Sequence, residues 1–499
     1  MLALFLPIFL VLLLIGMPVF FAMLAAPGII LYSADMTRDI ALMYRNIYSG
    51  IFSFPLMAIP FFMLAGELMN RGGITFRLVD FSQAIIGHVR GGLAQVNILS
   101  SMLFAGLSGS AVADTSALGS MLIPAMEKNG YTRRYAAAVT AASSVIGPII
   151  PPSGIMIIYA YVMEVSVAKL FAAGIIPGIL VGISLMILVN FQARRGNFPI
   201  AGRGLDKPEA VRPVDTVENT LAWILTVAGL GVLIMWVTQS YMDTDTQIGA
   251  YFAGKPWHLW ATALVPAVAI LLALRPLMSK PFRNVAKRAV LPLLTPVIIL
   301  GGILGGIFTP TEASAIAAVY ALLIGLFVLR TLKLRDLPAI FTKSAMISAV
   351  VLLLVGAAMA FKTVVSLSHA AEIMAEWILT LSSNPLVLLF LINILLFIVG
   401  MFLDAGPAII ILGPILGPIF VNLGVDPVHF AMIMSVNLTV GLITPPMGLV
   451  LFVASSVSGE KVDVIAREII PFLLVEMAVI FIITYVPAVS LAIPNWLGL

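Results

Sequence analysis

Apolar residues run almost unbroken for about 20 positions at a time along most of the chain, and charged residues fall in the short stretches between. This is the pattern of repeated bilayer crossings. Runs bounded by charged loops predict spans over residues 2–24, 51–69, 135–163, 170–191, 221–237, 259–274, 289–307, 310–329, 344–367, 428–457 and 465–489. Two further runs, 93–126 and 386–420, are too long for one crossing and are broken midway by Gly, Ser, Asp and Pro. Each predicts a helix, a turn and a second helix returning to the side of entry. Backbone that leaves the helix at membrane depth is tolerated only where protein or a water-filled cavity satisfies it, so both turns are expected to line a site.

The basic residues test this reading. With both long runs taken as re-entrant hairpins, 22 of the 27 Lys and Arg residues fall on one face, leaving Arg38, Arg45, Lys169, Lys255 and Lys362 for the other. Cytoplasmic loops carry the excess of positive charge, so the first face is cytoplasmic. Reading either hairpin as a full crossing reverses every later loop and scrambles the segregation. The first hairpin then opens to the cytoplasm and the second to the periplasm.

Sliding the chain along itself by 290 to 294 residues brings similar motifs into register. Pro18 meets Pro310, Gly66 meets Gly356, Asp114 of SAVADTSALGSMLIPAM meets Asp404 of GMFLDAGPAIIILGPILGPI, Pro124 meets Pro414 and Gly130 meets Gly424. GPIIPPSG at 147–154 meets GLITPPMG at 441–448. Three spans separate the copies, and an odd number inverts the second. The expected organisation is a first inverted repeat over 1–195 (hairpin 93–126, broken helix 135–163), a connector over 196–288 with two extra spans, and a linking span plus second repeat over 289–499 (hairpin 386–420, broken helix 428–457). The fold class is an all-α polytopic membrane protein with two re-entrant hairpins and two broken helices, an architecture of secondary transporters in which the halves alternate access to a midplane site.

Composition narrows the function classes. At 61% hydrophobic and 10% charged residues, with mean hydropathy +1.12, a water-soluble globular fold is excluded. The net charge of +4 is dispersed among loops and gathers on no face, so nucleic acid is not an expected partner. There is no cysteine, hence no disulfide, thiolate metal site or cysteine nucleophile. His88, His258, His369 and His429 lie far apart, without the spacing of a helical metal site. The amino terminus is apolar and uncharged until Asp35, which predicts a retained first span and not a signal peptide. No P-loop, metal motif or triad suggests an enzyme, and no organic cofactor is expected.

Candidate chemistry sits at the breaks. The pairs Pro151-Pro152 and Pro445-Pro446 lie within runs otherwise fit to span, where proline removes a backbone donor and clashes with the preceding turn. Broken ends free carbonyls for a small cation and amides for a carboxylate; the structural alternative is a kink repaired by neighbouring helices. In the first hairpin turn Ser108, Gly109 and Ser110, followed by Asp114, offer hydroxyls and a carboxylate; Ser110 stands where a nucleophile elbow requires glycine. In the second, Asp404, Gly406 and Pro407 play the matching part, and for either aspartate the structural alternative is a helix cap. Glu312 falls three residues after Thr309, with Pro310 between them, which predicts a capping box.

At these motifs the sequence resembles the large membrane subunit of the tripartite ATP-independent periplasmic (TRAP) transporters. The carrying segments are GLSGSAVADTSALGSMLIPAM, GPIIPPSG, GGIFTPTEAS, GMFLDAGPA and GLITPPMG. The resemblance implies sodium-driven import of a small organic acid across the bacterial inner membrane. A soluble periplasmic binding protein would deliver the acid, an elevator-like shift of the hairpin domain would move it, and a separate small four-helix membrane subunit would complete the scaffold. On this chain it implies sodium at Ser108, Gly109, Ser110 and Pro151, and at Gly400, Asp404, Thr444 and Pro445, with substrate near Ser110, Asp114, Ser153, Asp404 and Gly406. Two rival readings are a stand-alone sodium/carboxylate symporter, which works without a binding protein, and an anion channel, which shows no concentrative uptake.

Overall fold

The computed structural model describes residues 5–33, 35, 37–196, 198, 280–368, 373, 374, 376, 378, 380, 382 and 384–499. The two extra spans expected at 221–237 and 259–274, and most of the connector, lie outside the described residues. Among the described residues there is no strand. Seven helices among the described residues are long and apolar enough to cross a membrane, or eight if a pair bent by 50° counts as one span.

The first half contains α1 (Phe5–Leu14), α2 (Val19–Ser33), α3 (Thr37–Ile51), α4 (Ala58–Arg71), α5 (Ile74–Ile86), α6 (Gly92–Ser108), α7 (Ala111–Lys128), α8 (Arg133–Ser144), α9 (Gly154–Met163) and α10 (Val167–Arg195). The second contains α11 (Lys280–Leu304), α12 (Pro310–Leu323), α13 (Leu337–Leu367), α14 (Pro385–Phe402), α15 (Ala405–Asn422), α16 (Pro427–Gly441), α17 (Leu449–Ser458), α18 (Val462–Tyr485) and α19 (Ala488–Trp496).

Several boundaries depart from the apolar pattern. The expected span over 2–24 is two helices, because Gly16 takes φ +90° and Pro18 cannot continue the ladder of α1. The span expected over 51–69 starts later, at Ala58, after the 50° bend that joins it to α3. Arg38, Asp39 and Arg45 on α3 make its sequence resemble a loop, although Tyr44, Tyr48 and Phe52 line an exposed apolar side. Helices α5 and α19 were not anticipated either.

Both long runs fold back. Asn97 near the start of α6 reaches Met126 near the end of α7, its Nδ2 lying 3.8 Å from the sulfur, so the two helices are antiparallel arms. In the second half Asn437 of α16 donates to Asn393 of α14 at 2.6 Å, and Gly400 meets Gly441, so α14 runs parallel to α16. Phe420 near the end of α15 stacks on Phe430 near the start of α16 at 4.8 Å, so α15 runs antiparallel to it. The two arms α14 and α15 therefore form the second hairpin.

The halves interlock with mirrored contacts. Arm α7 packs on α17, and arm α15 packs on α9. A Cβ on Gly119 of α7 would lie 3.3 Å from Val457 of α17, and one on Gly413 of α15 would lie 3.5 Å from Met163 of α9. Gly119 and Gly413 are related by the repeat offset, as are Met163 and Val457, so one contact is the image of the other. Around this unit α4 packs on α12 and α13, while α3 crosses α13 where Gly50 faces Gly356. Missing side chains at that crossing let the two backbones approach. Thr311 donates to the Phe54 carbonyl at 3.0 Å and Thr331 to the Gly72 carbonyl at 2.6 Å, tying the outer helices of one half to the other.

Candidate functional site

The first hairpin turn is built by three residues. Gly109 closes α6 in the left-handed region at φ +60°, where a side chain would also strike the Pro152 carbonyl oxygen at 2.6 Å. Ser110, extended at φ −139°, caps α7 by accepting from the Ala113 amide at 3.4 Å. Ser108 donates its hydroxyl to Oδ1 of Asp114, one turn into α7. The hairpin tip therefore lies against the break between α8 and α9.

That break is longer than the diproline suggests. Helix α8 ends at Ser144, and the chain descends through tight turns, Ile146 to Ser143 and Gly147 to Ser144, before Ser153 caps α9 by accepting from Met156 at 3.4 Å. Pro151, Pro152 and Ser153 are all buried, and both diprolines contain a cis peptide bond. Gly147 lies so close to Oδ2 of Asp114 that a methyl group there would overlap it. Asp114 is fully buried, and Oδ2 has no hydrogen-bond partner. A carboxylate oxygen in that position lacks the compensation that buried charge normally finds.

Thr115, next to Asp114, donates to Ser144 at 2.7 Å, and Ser101 donates to Ser143 at 2.9 Å. Asn97 donates to Thr140 at 2.7 Å and accepts from Ser143 at 3.2 Å. These bonds lock both hairpin arms to α8. The second half carries the counterpart in the Asn393–Asn437 bond, to which Thr484 of α18 adds a 3.2 Å bond. Buried amides and hydroxyls inside apolar spans were the sequence signal for these residues, which motif reading passed over.

The second site is mirrored in path but differs in exposure. Asp404 caps α15, its Oδ1 accepting from the Ala405 amide at 2.8 Å, and its side chain is exposed. Gly406, buried in the first turn of α15, is seated 3.7 Å from Ile158 of α9. Gly400 of α14 lies against α16, where an added Cβ would fall 2.8 Å from the Leu438 carbonyl. Thr444 follows α16, is buried, and donates to the Val440 carbonyl at 3.1 Å, while Pro445 is half-buried and Pro446 exposed. The hairpin tip at Asp404 thus serves the cap role that the sequence left open for both aspartates, whereas Asp114 does not cap its helix.

Glu312 completes the expected capping box, accepting from the Thr309 amide and hydroxyl at 2.8 Å each. His429 is buried and bonded to Thr484 and Ser490, a structural role. Among the described residues no group of His, Cys, Asp and Glu is arranged to hold a transition metal.

Two re-entrant hairpins facing two broken helices, interlocked by an inverted repeat within an apolar bundle, define a polytopic membrane transport protein. Comparison with known sequences gives the family. The chain belongs to the DctM component of the tripartite ATP-independent periplasmic transporters, whose profile matches residues 6–489. It is similar to the C4-dicarboxylate TRAP transporter large permease protein DctM of Pseudomonas aeruginosa, with 36% identity over 94% of this chain and 92% of that one. It is also similar to the sialic acid TRAP transporter large permease protein SiaM of Vibrio cholerae, with 34% identity covering 96% and 95%. The isethionate TRAP transporter permease protein DctMQ of Oleidesulfovibrio alaskensis is 34% identical, and the match spans 64% of that longer chain. Among solved structures, the YdaH transporter of Alcanivorax borkumensis shares the fold at a TM-score of 0.53 and 17% identity, covering 94% of this chain and 90% of that one. The family is one of inner-membrane transporter subunits, not of enzymes.

Proposed function

We propose that this chain is the sodium-coupled permease of a TRAP system importing a small organic acid, and that its hairpin unit carries ion and substrate across the membrane as an elevator. The observation that carries the reading is Oδ2 of Asp114, a buried carboxylate oxygen without a partner, beside the turn at Ser108 to Ser110 and the Pro151–Pro152 break. A small hard cation suits such a place, since carboxylate, hydroxyl and unwound carbonyl oxygens are the donors it prefers. The residues that would hold sodium there are Ser108, Gly109, Ser110 and Pro151, joined by Asp114, which the family resemblance had set near the substrate. At the second break they are Gly400, Asp404, Thr444 and Pro445. The exposed side of the second site, with Asp404 and Gly406 of α15 close to α9 and Ser153 at its cap, is where a carboxylate would bind, aided by the free amides of the helix starts.

Dicarboxylate, sialic acid and isethionate relatives all name anionic cargo, which supports the substrate class. The family name and the fused DctMQ relative support a periplasmic binding protein and a small membrane subunit as partners. Inverted repeats support the elevator, because two mirror-related halves can exchange their environments.

Reconstitution in proteoliposomes tests the reading. Uptake is expected to require sodium and the binding protein, and to rise with a negative interior; a monoanion moving with two sodium ions carries one net charge, worth about 2.3 kcal/mol per 100 mV. Full uptake without sodium refutes the coupling. Full uptake without the binding protein favours a stand-alone symporter.

A further inference from the structure

The hairpin unit touches the outer helices differently at its two ends. At the end of α9, Glu164 closes the helix in the left-handed region at φ +58°. Lys362 of α13 reaches it, donating to the Glu164 carboxylate at 2.9 Å and to the Val162 carbonyl at 2.9 Å. The ammonium thus pairs a carboxylate and also satisfies a terminal carbonyl of α9, where the helix dipole favours positive charge. It holds the Glu164 carboxyl below its usual range. Lys362 also borders a cleft of about 350 Å³ between α3 and α13, lined by Asn46, Thr363 and Ser366.

The image of this contact is missing. Helix α17 is the counterpart of α9, and it too ends in a left-handed residue, Gly459 at φ +74°, followed at once by Glu460. Helix α4 is the counterpart of α13; at the 290-residue offset that sets Gly66 on Gly356, Lys362 falls on Gly72, next to Arg71. A carboxylate on the moving tip and a cation on the outer helix are therefore present at both ends. Yet among the described residues no hydrogen bond or ion pair joins α17 or Glu460 to α4. Arg71 rests instead on Glu67 of its own helix at 3.1 Å, and Glu67 also holds Lys343 at 2.8 Å. The Glu460 backbone bonds locally, its carbonyl accepting from Ser455 and its amide donating to Ser458, and among the described residues its carboxylate has no ion-pair partner.

We propose that these two pairs are alternating latches: Lys362 with Glu164 closes the periplasmic seam in the present state, and Arg71 leaves Glu67 to engage Glu460 at the cytoplasmic seam in the opposite state. The inference rests on the elevator reading. Each latch joins an exposed side chain, Glu164 or Arg71, to a half-buried one, Lys362 or Glu460, and contributes modestly, which suits a switch that must open readily; a latch worth much more would trap the carrier in one state.

The absence of native cysteine makes cross-linking a direct test. Arg71→Cys with Glu460→Cys is placed in the full chain in membrane vesicles, and its cross-linking rate by a short bifunctional thiol reagent is measured in three backgrounds. Expected are slow cross-linking in the parent, a rate about threefold to tenfold higher with Lys362→Glu, and a return to the parent rate when Glu164→Lys restores the pair with reversed signs. Recovery by charge reversal is an effect that mere misfolding of Lys362→Glu would not give. In parallel, Phe402→Cys, alone in the chain at the exposed end of α14, reports hairpin movement through its labelling by a membrane-impermeant maleimide. If Phe402→Cys labelling responds to replacing potassium by sodium while the 71–460 pair never cross-links, the latch is wrong and the elevator stands. If labelling at position 402 responds to nothing and no background alters cross-linking, both fall.

Discussion

Replacing Asp114 by Asn separates the charge of the first hairpin site from its shape. The amide keeps an oxygen to accept from Ser108 and puts nitrogen where Oδ2 now lies buried beside Gly147. Two effects of opposite sign follow. Without sodium, the amide nitrogen is as unpartnered as the Oδ2 it replaces and only the unpaired charge is lost, so the variant should be modestly more stable than the parent. With sodium, the loss of a unit charge about 4 Å from the ion costs about 4 kcal/mol at an effective dielectric constant near 20, roughly a thousandfold in affinity. At a sodium concentration about 100-fold above its dissociation constant the parent site gains about 2.7 kcal/mol by binding, and the variant at the same concentration gains almost nothing. Thermal unfolding in detergent, with sodium replaced by potassium at constant ionic strength, reads both. The variant should melt higher than the parent in potassium and show a reduced sodium-dependent shift. An unaltered sodium shift would show that Asp114 does not face the ion.

Other outcomes follow from the same geometry. Gly441→Ala should destabilise by about 1–3 kcal/mol, because its Cβ would lie 2.5 Å from the Gly400 Cα and force α14 away from α16; an unchanged melting curve would contradict the packing. Glu476, wholly buried in α18 with neither carboxylate oxygen partnered, should yield a more stable protein when changed to Met, by about 1–3 kcal/mol, and a loss of stability would reveal an unseen partner. Thr309→Ala should weaken the start of α12 at neutral pH. The substitution removes the hydroxyl that accepts from the Glu312 amide and donates to its carboxylate, so Thr309→Ser, which keeps both bonds, should retain most of the parent's stability. Equal melting curves for Thr309→Ala and Thr309→Ser would count against the Glu312 link.

Much of the path of the chain was legible before any coordinates. The turns at Ser108–Ser110 and Asp404, the breaks at the two diprolines and the Thr309–Glu312 box all fall where the residues demand them, since breakers and caps act over four or five positions. The amphipathic α3 and the short α5 and α19 were missed because their charged or short sequences look like loops when only apolar runs are followed. The first break begins several residues before Pro151, at Val145, and nothing local announces that.

The sequence by itself determined that the chain is built of apolar helices and where its two hairpins turn and its two helices break, because apolar runs and helix breakers are local properties. Only the tertiary structure decided that Asp114 is buried with an unmet oxygen while Asp404 is exposed and caps its helix: at the 294-residue offset that relates Gly119 to Gly413, Asp404 matches the other cap, Ser110, and Asp114 falls on Ala408, which corrects the Asp114–Asp404 match expected from the sequence. It alone set α7 on α17 and α15 on α9. Those outcomes depend on which surfaces meet between residues nearly 300 positions apart, and a hydropathy pattern carries no record of that pairing.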